Sequence, residues 1–208
     1  MPDLRFGIEG ADAIPYAVSP QIALRIQIQN LVAQEQIQTI ILQAQVQIET
    51  TRRLYRDEEQ GRLLDLFGEA ERWGQTLRTM LWTHATVNVR PFVGRTVAEM
   101  PVPCTFDFNV GATKYFDGLM EADIPLCLLF SGTVFYEAAE SGLHIEQIPW
   151  HNEARFRLPV KVWKRLMDHY YPNSAWLSLR RDVFDRLHQF KRQRGIATWE
   201  QAVEQLLR

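Results

Sequence analysis

Residues 21–30 read QIALRIQIQN and residues 39–50 read TIILQAQVQIET. In the first stretch Ile22, Leu24, Ile26 and Ile28 fall on one side of an extended chain, with Ala23, Arg25, Gln27 and Gln29 on the other. In the second, Ile40, Leu42, Ala44, Val46 and Ile48 alternate with Gln43, Gln45, Gln47 and Glu49. A period of two is the signature of a strand buried on one face. The short polar connection LVAQEQ between the two stretches makes them an antiparallel pair. The glutamines supply the wet face that such a sheet needs, so they are not read as an aggregation tract.

The same rhythm returns further along. LWTHATVNV (81–89) is a strand, and TVAEMPVPCTFDFNV (96–110) is expected to carry Val102, Cys104, Phe106 and Phe108 on one face. IPLCLLFSGTVFYE (124–137) is apolar on both faces through Phe130, with Gly132 marking a bulge or bend. GLHIEQIPW and EARFRL complete the set, the latter turning Ala154, Phe156 and Leu158 inward. Residues 52–80 break the pattern. Asp57 is placed to cap a helix bearing Leu63, Leu64 and Phe67 that stops at Gly68, and a second short helix runs through Trp73 and Leu77.

After Leu158 the spacing changes to three and four. Pro159 suits a helix start, and Val160, Trp163, Met167 and Tyr170 form a stripe. Ser178 is expected to cap a helix with Leu179, Val183, Leu187 and Phe190 on one side, closed by Gly195. Thr198 and Gln201 make a capping pair for a last helix through Trp199, Val203 and Leu206. The expected fold is therefore α+β. Residues 1–158 form an antiparallel β-sandwich of immunoglobulin-like kind with a helical insertion at about 55–80, and residues 159–208 form a helical segment packed on it.

Composition narrows function. The chain has 208 residues, 46% hydrophobic and 23% charged, with a formal net charge of −2, which is ordinary for a folded soluble domain. No basic stripe marks a nucleic-acid partner; the Lys and Arg residues of the last 50 positions are interleaved with Asp168, Asp182 and Asp185 and read as a solvated helix surface. There is no secretory pattern at MPDLRFGIEG and no apolar run long enough for a membrane span, so a cytoplasmic location without membrane insertion is expected. Cys104 and Cys127 are then reduced core residues.

Reactive constellations are sparse. The five histidines include no His-x-x-x-His pair and the cysteines no Cys-x-x-Cys. A metal or small-ligand site would have to be assembled from distant residues such as His84, His144, His151, Glu153 or a cysteine. Ser131 lacks a nucleophile elbow, and no glycine loop joins a parallel strand to a helix. No cofactor and no metal is expected. The densest stretch, EQIPWHNEARFRLPVKVWKRLMDHYYP (146–172), reads as a joint between sheet and helix: its aromatics fill the interface, and Glu146 and Glu153 form a polar cluster with Arg155.

The strings LLDLFGEAERWGQTLR, LWTHATVNV, MPVPCTFDFNVGATKYF, IPLCLLFSGTVF and QIPWHNEARFRLPVKVW resemble an uncharacterised bacterial family of about this length. That family is associated with gene neighbourhoods of high-affinity uptake nickel-iron hydrogenases. The resemblance implies an accessory role beside a hydrogenase and supplies no catalytic residue.

The expected function is that of a non-enzymatic accessory or scaffold protein. A protein partner, with hydrogenase subunits as candidates, would be held by Trp150, His151, Glu153, Arg155, Trp163, Tyr170 and Trp176, since Trp, Tyr and Arg dominate binding hot spots. A homo-oligomer is compatible with this. The alternative is a metal- or small-ligand-binding enzyme using His84, His144, His151, Glu153 or a cysteine; a carbohydrate-binding sandwich fits the tryptophans but not the expected cytoplasmic location.

Overall fold

The structure is a computed structural model that describes residues 2–32, 35–138 and 142–208. The connection expected over LVAQEQ includes residues 33 and 34, which lie outside the described residues. In chain order the strands are β1 (Leu4–Ala13), β2 (Gln21–Asn30), β3 (Gln36–Ile48), β4 (Met80–Val89), β5 (Phe92–Val93), β6 (Arg95–Pro103), β7 (Asp123–Ala138), β8 (Gly142–Gln147) and β9 (Glu153–Pro159). The helices are α1 (Asp57–Arg62), α2 (Leu64–Phe67), α3 (Trp73–Thr76), α4 (Val110–Gly118), α5 (Val160–Tyr170), α6 (Arg181–Gln193) and α7 (Trp199–Leu206). The fold is mixed α+β, with antiparallel sheets.

One sheet has three strands in the order β1-β2-β6, and the other has six, built on β3 and β7. β4 and β5 follow one another along one side of β3. β8 and β9 follow one another along the far side of β7, pairing Thr133–Ala138 and Asp123–Leu129 respectively. The alternation explains why β2 and β3 lie where they do. Ile22, Leu24, Ile26, Ile28, Ile40, Leu42, Val46 and Ile48 are all completely buried and belong to one core cluster. Each such side chain contributes about 1.5–3 kcal/mol of gross burial. Gln43 is exposed, and Gln45 and Gln47 are half-buried, on the outward side.

The helical insertion is anchored by charge. Arg53 and Glu59 pair at only 6% and 2% side-chain exposure. Arg53 also donates to the carbonyls of Asp123 and Glu121, each at 2.9 Å, while Glu59 accepts from the N–H of Met120 at 2.9 Å and of Arg56 at 3.2 Å. A buried pair is costly unless its remaining donors and lone pairs are also satisfied; here the backbone groups of Arg56, Met120, Glu121 and Asp123 satisfy most of them, leaving the buried Nε of Arg53 as the exception. Beside the pair, the hydroxyls of Tyr55 and Tyr115 lie 2.9 Å apart and Tyr55 donates to the Thr50 carbonyl at 2.7 Å. Burial raises the pKa of both phenols.

Several local expectations are corrected. β1 is an additional strand; Gly7, Gly10 and a register shift between Ile8 and Gly10 blur its alternation. β6 ends at Pro103, so Phe106 and Phe108 are not strand residues. A turn follows, closed by Phe108 N–H to the Thr105 carbonyl at 3.1 Å, and Asn109 then starts α4: its Oδ1 accepts from Ala112 N–H at 3.0 Å, and its Nδ2 donates to the Trp82 carbonyl at 2.8 Å. Phe106 instead meets Tyr171 at 4.9 Å between ring centroids. Asp57 is the first helical residue of α1, after Arg56 at the cap. α6 begins after Arg180, so Ser178 and Leu179 precede it. Gly132 has a backbone φ of +140° but no register shift against β3, so the expected bulge is not seen there; Gly68, at φ +73°, does end α2.

The chain forms two compact units, residues 1–173 and 174–208. The first contains both sheets and α5, whose Val160, Trp163, Leu166 and Met167 are buried. The second contains α6 and α7; Thr198 caps α7 by accepting from the Gln201 N–H at 3.2 Å. No described helix is long and apolar enough to cross a membrane.

Candidate functional site

The chain between β8 and β9 is held at both ends by β7. Ile148 donates to the Gly132 carbonyl at 2.9 Å, and the Asn152 carbonyl accepts from Phe130 N–H at 2.9 Å. Between these anchors Pro149, Trp150, His151 and Asn152 make a tight turn, closed by Asn152 N–H to Pro149 at 3.2 Å and by its side-chain amide to the same carbonyl at 3.0 Å. Ile148 is buried, whereas Trp150 is 89% exposed and meets its neighbour His151 edge-on, with centroids 6.1 Å apart. An indole of that size held in water by an ordered turn is an unusual surface element.

Next to the turn, β9 carries Glu153 and Arg155 on the outward face. Arg155 donates to Glu153 at 2.5 Å and to Glu49, at the end of β3, at 3.3 Å. Arg52 approaches the same Glu49 oxygen at 3.4 Å. Two acids and two guanidinium groups therefore form a chain of alternating sign. Glu49 and Glu153 favour the charged form of Arg155, with the hydrogen bond to Glu49 the largest cause. Cys127 pairs with Arg155 in register, and its thiol lies 4.0 Å from Glu153. Burial, then the charges of Glu153 and Glu49, raise the pKa of that thiol. Burial pushes Cys104 up to about 12. Both cysteines are poor nucleophiles at neutral pH.

Two small clefts flank this region. One, of about 230 Å³, is lined by Asp3, Leu4, Val134, Glu146, Ile148 and His151. The other, of about 240 Å³, is lined by Glu49, Arg52, Leu126, Arg155, Phe156 and Arg157. Both are below the roughly 300–1,000 Å³ of typical small-molecule sites.

The structure thus brings together Trp150, His151, Glu153 and Arg155. Glu146 is not in the Arg155 cluster; it lines the first cleft. Trp163 is only 3% exposed and packs edge-on against Phe116 at 5.6 Å, so it belongs to the core and offers no surface. Tyr170 is half-buried and donates to the Ala17 carbonyl at 2.9 Å, fastening α5 to the loop before β2. Trp176 lies in the second unit. His84 is exposed on β4, His144 stacks on Tyr136 at 5.4 Å, and Cys104 is buried at the end of β6. Among the described residues no group of three or more His, Cys, Asp or Glu side chains is placed to hold a metal ion. Glu49 and Arg52 were missed as members of the cluster. The only sequence signal was the outward register of Glu49 at the end of an alternating strand.

A family model matches residues 1–208, the whole length of this sequence. The chain belongs to the family of unknown function DUF6084. Neither the curated proteins nor the solved structures provide a match.

Proposed function

We propose that this chain is a non-enzymatic accessory or scaffold protein of the cytoplasm that binds a protein partner. The candidate partner is a nickel-iron hydrogenase subunit or its maturation intermediate. The observation that carries the binding reading is the exposed Trp150 on a turn anchored at both ends to β7. A turn whose backbone is already fixed loses little backbone entropy on docking, and tryptophan is enriched in binding hot spots. Arg155, Glu153 and Glu49 supply a polar rim beside it. The reading takes the two antiparallel sheets as the faces of an immunoglobulin-like sandwich, supported by the inward rows of β2 and β3 entering one core. The hydrogenase identity rests on the resemblance of the sequence strings alone.

The test is affinity capture from the native host with the wild-type chain and with Trp150→Ala, alongside hydrogen uptake in a deletion strain. A stable partner lost with Trp150→Ala supports the binding reading. No partner in either capture counts against it, and unchanged hydrogen uptake removes the hydrogenase version.

A further inference from the structure

We propose that β8 is a self-association edge: two copies of this chain pair their β8 strands antiparallel about a two-fold axis through Ile145, joining two six-stranded sheets. β8 ends its sheet, and among the described residues no strand pairs with its outer side. The direction of its backbone groups follows from register. Thr133 faces Gln147, and the next residue, Ile148, donates to Gly132 at 2.9 Å. Successive strand residues turn their N–H and C=O groups to opposite sides, so Glu146 and His144 bond toward β7 while Leu143, Ile145 and Gln147 direct theirs away from it.

Natural edge strands are usually blunted by lysine, proline or a bulge. Gly142–Gln147 has none of these, its one charged residue being Glu146, and its outward side chains Leu143 and Ile145 are 61% and 62% exposed. Phe135, opposite Ile145 on β7, is half-buried and extends the apolar surface.

Hydrogen-bonding complementarity selects the second copy and the register. With Ile145 facing Ile145 of the other copy, Leu143 meets Gln147, and each His144 imidazole faces a Glu146 carboxylate; symmetry makes this contact twice. The neighbouring registers that keep the same faces aligned set His144 against His144 or Glu146 against Glu146. Six paired residues bury less than the roughly 1,200–2,000 Å² of a standard interface. The pairing is therefore expected to be reversible and to require micromolar chain.

The experiment is sedimentation of the full chain from about 1 to about 500 µM, with amide hydrogen exchange at the two extremes. A reversible dimer is expected, with the Leu143, Ile145 and Gln147 amides slowing as concentration rises and those of His144 and Glu146 unchanged. Ile145→Lys places two ammonium groups on the axis and should weaken the dimer by more than about tenfold, with an unchanged thermal melt showing that the chain still folds. A monomer at every concentration overturns the proposal, as does a dimer that Ile145→Lys leaves intact.

Discussion

Gly132 on β7 lies so close to Ile41 on β3 that a Cβ at position 132 would overlap the Ile41 carbonyl oxygen and come within 3.1 Å of its carbonyl carbon. The backbone there also has φ +140°, which L side chains rarely adopt. Gly132→Ala therefore meets steric overlap with a backbone atom that cannot swing aside as well as torsional strain. A loss of about 3 kcal/mol or more is expected, read as a fall in the denaturant midpoint.

Breaking the Arg53–Glu59 pair should be more damaging than replacing it. Glu59→Ala leaves a buried guanidinium without its carboxylate and strands the Met120 and Arg56 amides; about 3–5 kcal/mol is expected. The double variant Arg53→Leu with Glu59→Leu should lose clearly less than the two single variants combined. A double-mutant cycle by chemical denaturation measures the difference.

Trp150→Ala should separate binding from folding. The indole buries almost nothing within the chain, so stability should change by no more than about 0.5 kcal/mol. Affinity for the captured partner should fall by about 2 kcal/mol, or roughly thirtyfold. Calorimetric titration beside a thermal melt shows whether both hold.

Alkali should weaken the fold before it changes anything else. Cys104 rises from 9.0 in the free state to about 12 in the protein, chiefly by burial. The unfolded chain therefore loses this proton first. The stabilisation is fully present below pH 9 and disappears as pH climbs from 9 toward 12. Tyr55 and Tyr115, raised by burial as well, act in the same direction. Denaturation midpoints measured every half unit above pH 8 should decline steadily, and Cys104→Ala should flatten the early part of that decline.

The sheets were legible where one face is buried and the other wet. β2 and the Ile40–Ile48 part of β3 show the period of two because their inward apolar positions are enclosed, whereas the start of β3 breaks it at a register shift between Ile37 and Thr39. β1 was illegible for the opposite reason, with two glycines and a register shift inside ten residues. The end of β6 was hidden because Phe106 and Phe108 keep a period of two by chance through a turn, closed by Phe108 N–H to the Thr105 carbonyl, that has no proline or glycine to mark it. The site divided in the same manner. Glu153 and Arg155 are two apart on a strand and were readable as neighbours, but Glu49 reaches Arg155 across 106 residues. Trp163 shows the limit of residue type as a guide: an aromatic favoured at binding surfaces is equally favoured in a core.

Arg53 spans about 70 positions of sequence with one side chain, its two terminal nitrogens holding the carbonyls at 121 and 123 while a carboxylate from α1 neutralises it. The short helices are thus latched to the residue where the longest strand starts. Excising them would leave that strand's first rung without its tether, and a protease cut between 54 and 79 should loosen β7 and its neighbours together rather than trim a detachable flap.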